Sequence, residues 1–154
     1  MPTIPHSALT FLKQLSRNNK RDWFKPRKEK FEAECRDPVL AWFEQLKPKI
    51  ETLAPMLFVD AAPNGGSLRR IYRDTRFGKN KAPYKTNLAL LMPHLGVEGN
   101  IDAPCFYLQI EPGNSFFAAG LYGPGTADKT KVRKAIDADP AAWKKATCSA
   151  AFKK

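Results

Sequence analysis

The spacing of apolar residues predicts that the first third of the chain is mostly helical. Apolar side chains recur every three or four positions, as one face of a helix requires; they are Leu9, Leu12 and Leu15, then Trp23, Phe24, Phe31, Leu40, Phe43 and Leu46. We expect Ser7 to cap the first helix and Asn18-Asn19 to end it. We expect Asp37-Pro38 to restart the second helical region, with Pro48 and Pro55 limiting its far end.

The middle of the chain changes to short apolar runs separated by turn residues, which is typical of strands. The runs that we predict as strands are 56–59, 68–77, 86–92, 105–111 and 116–122. The last two flank Pro112-Gly113-Asn114, and this pattern predicts a hairpin. Beyond Pro124 the helical spacing returns with Val132 and Ile136, and Asp139-Pro140 is expected to begin a last helix.

Helices at both ends and consecutive strands between them predict an α+β fold. We expect N-terminal helices packed on a mainly antiparallel sheet, with a helix after the sheet. The length of 154 residues fits one domain with a substantial core. We divide this domain into a mostly helical part at 1–55, a sheet part at 56–123 and a helical end at 124–154.

The charge balance indicates what kind of partner the protein suits. The chain has 26 basic and 15 acidic residues, a net charge of +11. Such an excess favours polyanionic partners because binding releases their counterions, although a basic protein can also be merely soluble. Three distant cysteines, no basic leader region and no run of about 18 apolar residues predict a cytoplasmic protein without a membrane partner. The oligomeric state is not predicted.

Residues 68–85 form the most unusual segment, LRRIYRDTRFGKNKAPYK, with seven cations and Asp74 as its one acid. Aromatic and branched apolar residues interrupt the charges, so we expect a folded strand, loop and return strand. Asp74 is expected to hold an arginine by a two-point pair, leaving the other cations without an internal acid. Arginine forks and lysine charges together suit phosphate. The alternative is a sheet edge charged to prevent aggregation.

Three functional hypotheses follow from this segment. The leading one is that it binds a phosphorylated or nucleic-acid ligand. The candidate anion-binding residues are Arg70, Arg73, Arg76, Lys81, Lys85, Tyr72 and Tyr84. The second hypothesis is an enzyme acting on a small phosphorylated substrate, with Asp74 as the base and the arginines stabilising developing charge. The third is an interaction module whose basic strand docks an acidic protein.

Other chemistry is poorly represented in the sequence. His6 and His94 are the two histidines, and a metal site needs more ligands at workable spacing. No phosphate-binding loop of the Walker type is present. We therefore predict neither a metal nor a cofactor. Trp23 and Phe24 lie between basic residues, where they could stack on bases, but their helical spacing favours a place in the core.

Three short strings carry a resemblance to a known family: NNKRDWF, RIYRDTRF and KAPYK. They are similar to the patterns of the bacterial and plant family called domain of unknown function 2461. The matching positions are Asn18, Asn19, Trp23, Phe24, Arg70, Tyr72, Arg73, Asp74, Thr75, Arg76, Phe77, Lys81, Pro83, Tyr84 and Lys85. GLYGP at 120–124 and the helix with Arg133 and Ile136 also resemble the family.

The resemblance implies an α+β single domain of soluble proteins with no assigned activity, cofactor or catalytic residues. It also implies that this chain is a member shortened at its C-terminus. Asn80 and Ala82 depart from the pattern, because the family often has an acid and a threonine at these positions. Any chemistry that depends on such an acid is then absent here.

Overall fold

The computed structural model describes residues 3–76, 79–96 and 104–149. Helices come first, followed by a three-stranded antiparallel sheet and two further helices. The prediction of an α+β fold is therefore confirmed. The chain divides into two units, one up to Gly120 and one from Leu121 onwards, and each is described by itself. The division into parts within a single domain stays a prediction.

The first unit begins with a long helical region in which one 3₁₀ turn and one π-helical turn separate stretches of α-helix. The α-helices are α1 at His6–Arg17, α2 at Arg21–Phe24, α3 at Lys28–Phe31 and α4 at Asp37–Leu53. A 3₁₀ turn at Lys25–Arg27 joins α2 to α3, and a π-helical turn at Glu32–Arg36 joins α3 to α4.

The prolines of this region follow the sequence prediction only in part. The α-helix α4 begins at Asp37 with Pro38 in its first turn, as predicted, but Asp37 has helical dihedral angles and continues from the π-helical turn instead of capping a new helix. The π-helical turn directly before Pro38 offers a reason: a wider turn accommodates a ring that lacks an N–H and crowds the carbonyl four residues earlier. Pro48 likewise lies inside α4, which ends only at Leu53, shortly before Pro55.

The ends of α1 also differ in detail from the prediction. Pro5 is the N-cap and Ser7 lies inside the first turn. The φ angle of Pro5, −58°, is the one that its ring enforces, and it suits the entry to a helix. Asn18 is the C-cap, as predicted, but its φ of −133° is not left-handed.

The sheet has the strand order β1-β2-β3, with β1 at Leu88–Pro93, β2 at Cys105–Ile110 and β3 at Phe116–Gly120. Both pairings are antiparallel, and Leu108 lies opposite Leu90 on one side and Phe117 on the other. The predicted hairpin of β2 and β3 is confirmed. Gly113 in its turn has a φ of +77°, a conformation that glycine adopts without a steric penalty.

The predicted strands at 56–59 and 68–77 are wrong as continuous strands. Each is reduced to isolated bridges in the described residues, which pair Leu57 with His94, Leu68 with Leu90, and Tyr72 with Tyr84. Local hydrogen bonds compete with the ladder: Asp74 accepts from the backbone N–H of Arg76 and turns the chain there. Pro83 adds to the interruption because it has no N–H to donate. Phe77 lies outside the described residues.

The core lies where the helical region packs on one face of the sheet. Its largest fully buried side chains come from both layers and include Phe11, Phe24, Phe43, Leu12, Leu15, Leu88, Leu90, Met92 and Ile110. Trp23 packs against the same cluster, so the prediction that Trp23 and Phe24 belong to the core is confirmed.

The second unit contains α5 at Thr126–Ala138 and α6 at Pro140–Thr147. Asp139 caps α6, since its carboxylate accepts a hydrogen bond from the N–H of Ala142 at 2.9 Å. The predicted start of the last helix is thus confirmed. Within the described ranges, none of the helices has the combination of length and apolar composition that crossing a membrane requires.

Candidate anion-binding site

The site begins with a clamp between the turn after α1 and the basic segment. The side-chain amide of Asn19 donates to the carbonyl of Tyr84 at 3.0 Å and accepts from the N–H of Tyr84 at 3.1 Å. One side chain therefore fixes the backbone of a residue 65 positions further along the chain. The clamp holds the KAPYK motif against the start of α2.

The two halves of the basic segment pair with each other at this point. Arg73 donates its N–H to the carbonyl of Pro83 at 2.9 Å, and Lys85 donates to Ile71 at 2.8 Å. The bridge between Tyr72 and Tyr84 brings their rings to a centroid distance of 5.5 Å. We call residues 71–76 and 81–85 together the paired ribbon.

Phe24 connects the paired ribbon to α2. Its ring stacks on Tyr84 with centroids 4.1 Å apart and planes 26° apart, and it meets the ring of Tyr72 edge-on at 6.4 Å. Aromatic pairs in such arrangements contribute about 1 kcal/mol beyond their burial. The Trp-Phe and Tyr-Lys motifs are therefore neighbours in space, although the sequence separates them.

A first cavity of about 360 Å³ opens between α2, α3 and the paired ribbon. Four of its lining residues are cations: Arg21, Lys25, Lys28 and Arg73. Its other walls are uncharged and include Phe24, Tyr72, Tyr84, Thr75 and Pro83. Among the described residues, no carboxylate lines this cavity, and Arg21, Lys25 and Arg73 have no acid at ion-pair distance.

A second cavity of about 300 Å³ adjoins the first and shares Phe24, Lys28 and Tyr72 with it. Its own charged lining residues are Glu32, Arg36, Arg69 and Arg70. The guanidinium of Arg36 contacts Glu32 at 3.1 Å and Asp37 at 2.7 Å, so the acid of this cavity is already engaged. Among the described acids, none reaches ion-pair distance of Arg69 or Arg70.

Tyr84 is a buried residue whose hydroxyl has no hydrogen-bond partner among the described residues. Tyr84 is only 3% exposed and lines the first cavity. In the part of the chain that the structure describes, its hydroxyl makes no hydrogen bond. Burial raises the pKa of Tyr84, with a further contribution from Tyr72, so the phenol stays protonated and able to donate.

The pKa of Lys85 shows that cations of the basic segment lie close together. This pKa is lowered, first by burial and then by repulsion from Arg69, Arg70 and Arg73. None of the described carboxylates forms an ion pair with Lys85. A cluster of like charges that are partly removed from water is costly unless an anion neutralises it.

Asp74 holds Arg76 as expected. The guanidinium donates from Nε to Oδ1 at 3.1 Å and from Nη2 to Oδ2 at 2.7 Å. These contacts, and more weakly the charge of Arg70, hold the pKa of Asp74 well below its usual range. A carboxylate with so low a pKa is a weak proton acceptor at neutral pH. Asp74 lines neither of the two cavities.

The structure brings together some of the residues predicted from the sequence and leaves others apart. Tyr72, Arg73 and Tyr84 line the first cavity, and Arg70 lines the second. Arg76 and Lys81 line neither cavity; Lys81 donates to the carbonyl of Thr75 at 2.9 Å.

Sequence reasoning missed the cations that the helical region contributes. Arg21, Lys25 and Lys28 line the first cavity, and Arg36 lines the second, together with Arg69 of the basic segment, which was not among the candidate anion-binding residues. A signal was available, because positions 21, 25 and 28 have the spacing that places residues on one face of a helix. The motif NNKRDWF supplies part of this face as well as part of the core.

The described residues offer little for metal or thiol chemistry. They contain no group of three His, Cys, Asp or Glu side chains placed to hold a metal ion. Burial raises the pKa of Cys35 to about 12 and also raises that of Cys105. Both sulfurs therefore remain thiols at neutral pH, and a thiol is a poor nucleophile.

Comparison with known proteins gives a family and no closer relative. No curated protein and no solved structure was found to match the chain. The model of the family described as Conserved hypothetical protein (DUF2461) matches residues 7–154, nearly the whole sequence. The resemblance of the three motifs is thereby confirmed. This protein belongs to that family of conserved hypothetical proteins.

Proposed function

We propose that this protein binds a small phosphorylated ligand in the first cavity. The observation that carries the proposal is the lining itself: four cations converge there with no carboxylate among them. Lys28 lies 3.9 Å from the carboxylate of Glu32. An anion that enters therefore neutralises the other three cations, Arg21, Lys25 and Arg73, which the described acids leave unpaired.

The shape of the site favours a compact ligand over a flat docking partner. A volume of about 360 Å³ falls in the range of small-molecule pockets. The cations come from two different segments, with Arg21, Lys25 and Lys28 on the helical region and Arg73 on the paired ribbon. A ligand between them is contacted by cations on two sides.

The mixture of donors favours phosphate over a simple carboxylate. Arginine offers planar two-point contacts and lysine a compact charge, and a phosphate group has enough oxygens to accept from several of them at once. Tyr84 lines the same cavity and carries a hydroxyl that can serve as a neutral donor. A phosphate oxygen is a suitable acceptor for it.

Binding without catalysis is the form of the proposal that the geometry supports best. The low pKa of Asp74 and its place outside both cavities speak against a role as base. The hypotheses of an Asp74-dependent enzyme and of an acidic protein partner stay predictions. The nucleic-acid form of the leading hypothesis is separated from the small-ligand form by the experiments below.

The proposal is tested by calorimetric titration with inorganic phosphate at a fixed salt concentration of about 150 mM. Arg73→Gln removes a lining charge, and we expect affinity to fall about tenfold, as the loss of a charge-assisted hydrogen bond implies. Arg76→Gln is the matched control, because it removes an exposed arginine from the same segment outside the cavities. We expect the control to change affinity less than twofold, since salt screens a distant exposed charge.

Lys25→Gln serves as a second variant of the first cavity. Lys25 is exposed in a helical turn, so its replacement tests the lining even where Arg73→Gln fails to fold. Circular dichroism establishes that each variant keeps its secondary structure. Absence of phosphate binding by the unmodified protein, or equal losses in Arg73→Gln and Arg76→Gln, would overturn the proposal.

A further inference from the structure

The geometry points to a ligand that carries two separate phosphate groups, one for each cavity, joined by a ring-containing part that lies against Tyr72. This inference rests on the proposed function and extends it from a phosphate site to a class of ligand: small bisphosphorylated molecules whose two phosphates are on different atoms. Three observations support it.

The first observation is that the two cavities are neighbours. Phe24, Lys28 and Tyr72 line both, so the two cavities lie side by side with these side chains at their common boundary. The volumes of about 360 and 300 Å³ each accommodate a phosphate with part of the group that bears it. One monophosphate leaves one of the two cavities empty.

The second observation is that each cavity has its own unneutralised cations. Arg21, Lys25 and Arg73 belong to the first cavity alone. Arg69 and Arg70 belong to the second cavity alone, and Glu32 there is already held by Arg36. Two groups of cations on either side of a shared boundary match two anionic groups better than one.

The third observation concerns the boundary between the cavities. Tyr72 is 48% exposed, although its ring contacts Phe24 and Tyr84 in the aromatic cluster. An exposed aromatic ring fixed from one side offers apolar contact to a planar or sugar ring. The linking part of the ligand is therefore expected to contain such a ring.

Lys85 adds an electrostatic reason for two anions. Arg69 and Arg70 of the second cavity and Arg73 of the first all act on the ammonium of Lys85. One phosphate relieves the repulsion on one side only. A bisphosphate relieves the repulsion on both sides, so its affinity is expected to exceed that of either monophosphate.

The experiment compares three matched probes: adenosine 5′-monophosphate, adenosine 3′-monophosphate and adenosine 3′,5′-bisphosphate. We expect the bisphosphate to bind at least tenfold more tightly than either monophosphate. Arg70→Gln changes the second cavity alone. We expect this variant to bind the bisphosphate no more tightly than either monophosphate. The same variant is expected to change the affinity of the first cavity for inorganic phosphate less than twofold, because Arg70 lines the second cavity alone.

Arg69→Gln is the second variant for the second cavity, and Arg73→Gln is the comparison variant for the first. Arg73→Gln is expected to weaken the binding of inorganic phosphate and of the bisphosphate alike. The inference is overturned if the bisphosphate binds no more tightly than the monophosphates, or if Arg70→Gln weakens all probes equally. In both outcomes inorganic phosphate still binds through Arg73, so the proposed function survives.

Failure of the proposed function has a different signature, namely no binding of inorganic phosphate or no effect of Arg73→Gln. A fourth probe, a single-stranded oligothymidine of twelve nucleotides, tests the nucleic-acid form of the hypothesis. Tighter binding of this probe than of the bisphosphate, with affinity that falls steeply as salt rises from 50 to 200 mM, would replace the small bisphosphate by a nucleic-acid backbone.

Discussion

Asn19 and Tyr84 are joined by two hydrogen bonds, in which one side-chain amide satisfies both the N–H and the carbonyl of the tyrosine backbone. The contact links two family motifs that lie 65 positions apart. It also positions the stacked pair of Phe24 and Tyr84 at the first cavity. A motif residue that reads as polar surface in the sequence is thus part of the framework of the site.

Asn19→Ala is expected to lower the free energy of unfolding by about 2 kcal/mol, since two hydrogen bonds at a half-buried position are lost. Urea denaturation measures the change. Asn18→Ala is the matched control: Asn18 is exposed and its side chain donates to the carbonyl of Gln14 in the preceding turn. An equal cost in the two variants would contradict the role that we give to the clamp.

Tyr84→Phe is expected to leave the free energy of unfolding within about 0.5 kcal/mol of the original, because substitutions that remove no contact have effects of this size. The ring keeps its stack on Phe24, and the hydroxyl has no described partner to lose. Affinity for inorganic phosphate is expected to fall about tenfold, as for one hydrogen bond to a charged group. Calorimetry and urea denaturation test the two halves of this prediction.

The opposite pattern for Tyr84→Phe, a large loss of stability with unchanged phosphate affinity, would show that the hydroxyl has a structural role. Tyr122→Phe is the control, because Tyr122 is exposed and is not among the residues that line either cavity. It is expected to change neither quantity.

Lys85→Met is expected to raise the free energy of unfolding at pH 7 in the absence of phosphate. The pKa of Lys85 is lowered from 10.5 by burial and by three arginines, so the folded state disfavours its charge. This penalty is complete below the folded-state pKa. It disappears as pH rises from that pKa towards 10.5, where the unfolded chain also loses the proton.

The stability advantage of Lys85→Met is therefore expected to be constant around neutral pH and to shrink in alkaline solution. Urea denaturation between pH 7 and pH 10.5 measures it, with the exposed Lys79→Met as control. Saturating phosphate is expected to shrink the advantage at pH 7, because an anion bound at Arg73 offsets part of the repulsion on Lys85. An advantage that grows with pH would contradict this account.

Asp74→Asn tests the ion pair with Arg76. The folded-state pKa of Asp74 is lowered, so the stabilising contribution of its carboxylate is present above the ordinary value of 3.8. It is lost as pH falls below that value towards the folded-state pKa. The difference in unfolding midpoint between the original protein and Asp74→Asn is thus expected to be small, as for an exposed pair, and constant from neutral pH to about pH 5.

Below about pH 4 the same difference is expected to shrink progressively, because the unfolded chain gains the proton before the folded carboxylate does. Phosphate affinity of Asp74→Asn is expected to stay within twofold of the original, because Asp74 lines neither cavity. A large loss of phosphate binding in this variant would restore Asp74 to the site and contradict the arrangement described above.

Local patterns predicted the elements whose physics is local. The β2–β3 hairpin follows from two aromatic runs around Pro112-Gly113-Asn114, and α6 follows from Asp139-Pro140. The predictions failed where tertiary context overrides a local preference. Pro48 was expected to limit the second helical region, but α4 continues through it to Leu53.

The sequence by itself determined the α+β fold class, the family and the presence of a cation-rich segment, because periodicity, motif strings and charge are properties of neighbouring residues. Tertiary structure decided which cations share a cavity. It joined Arg73 to Arg21 and Lys25 through the Asn19 clamp and directed Arg76 to Asp74 instead. These assignments depend on contacts between distant parts of the chain, and no local pattern specifies the distances between them.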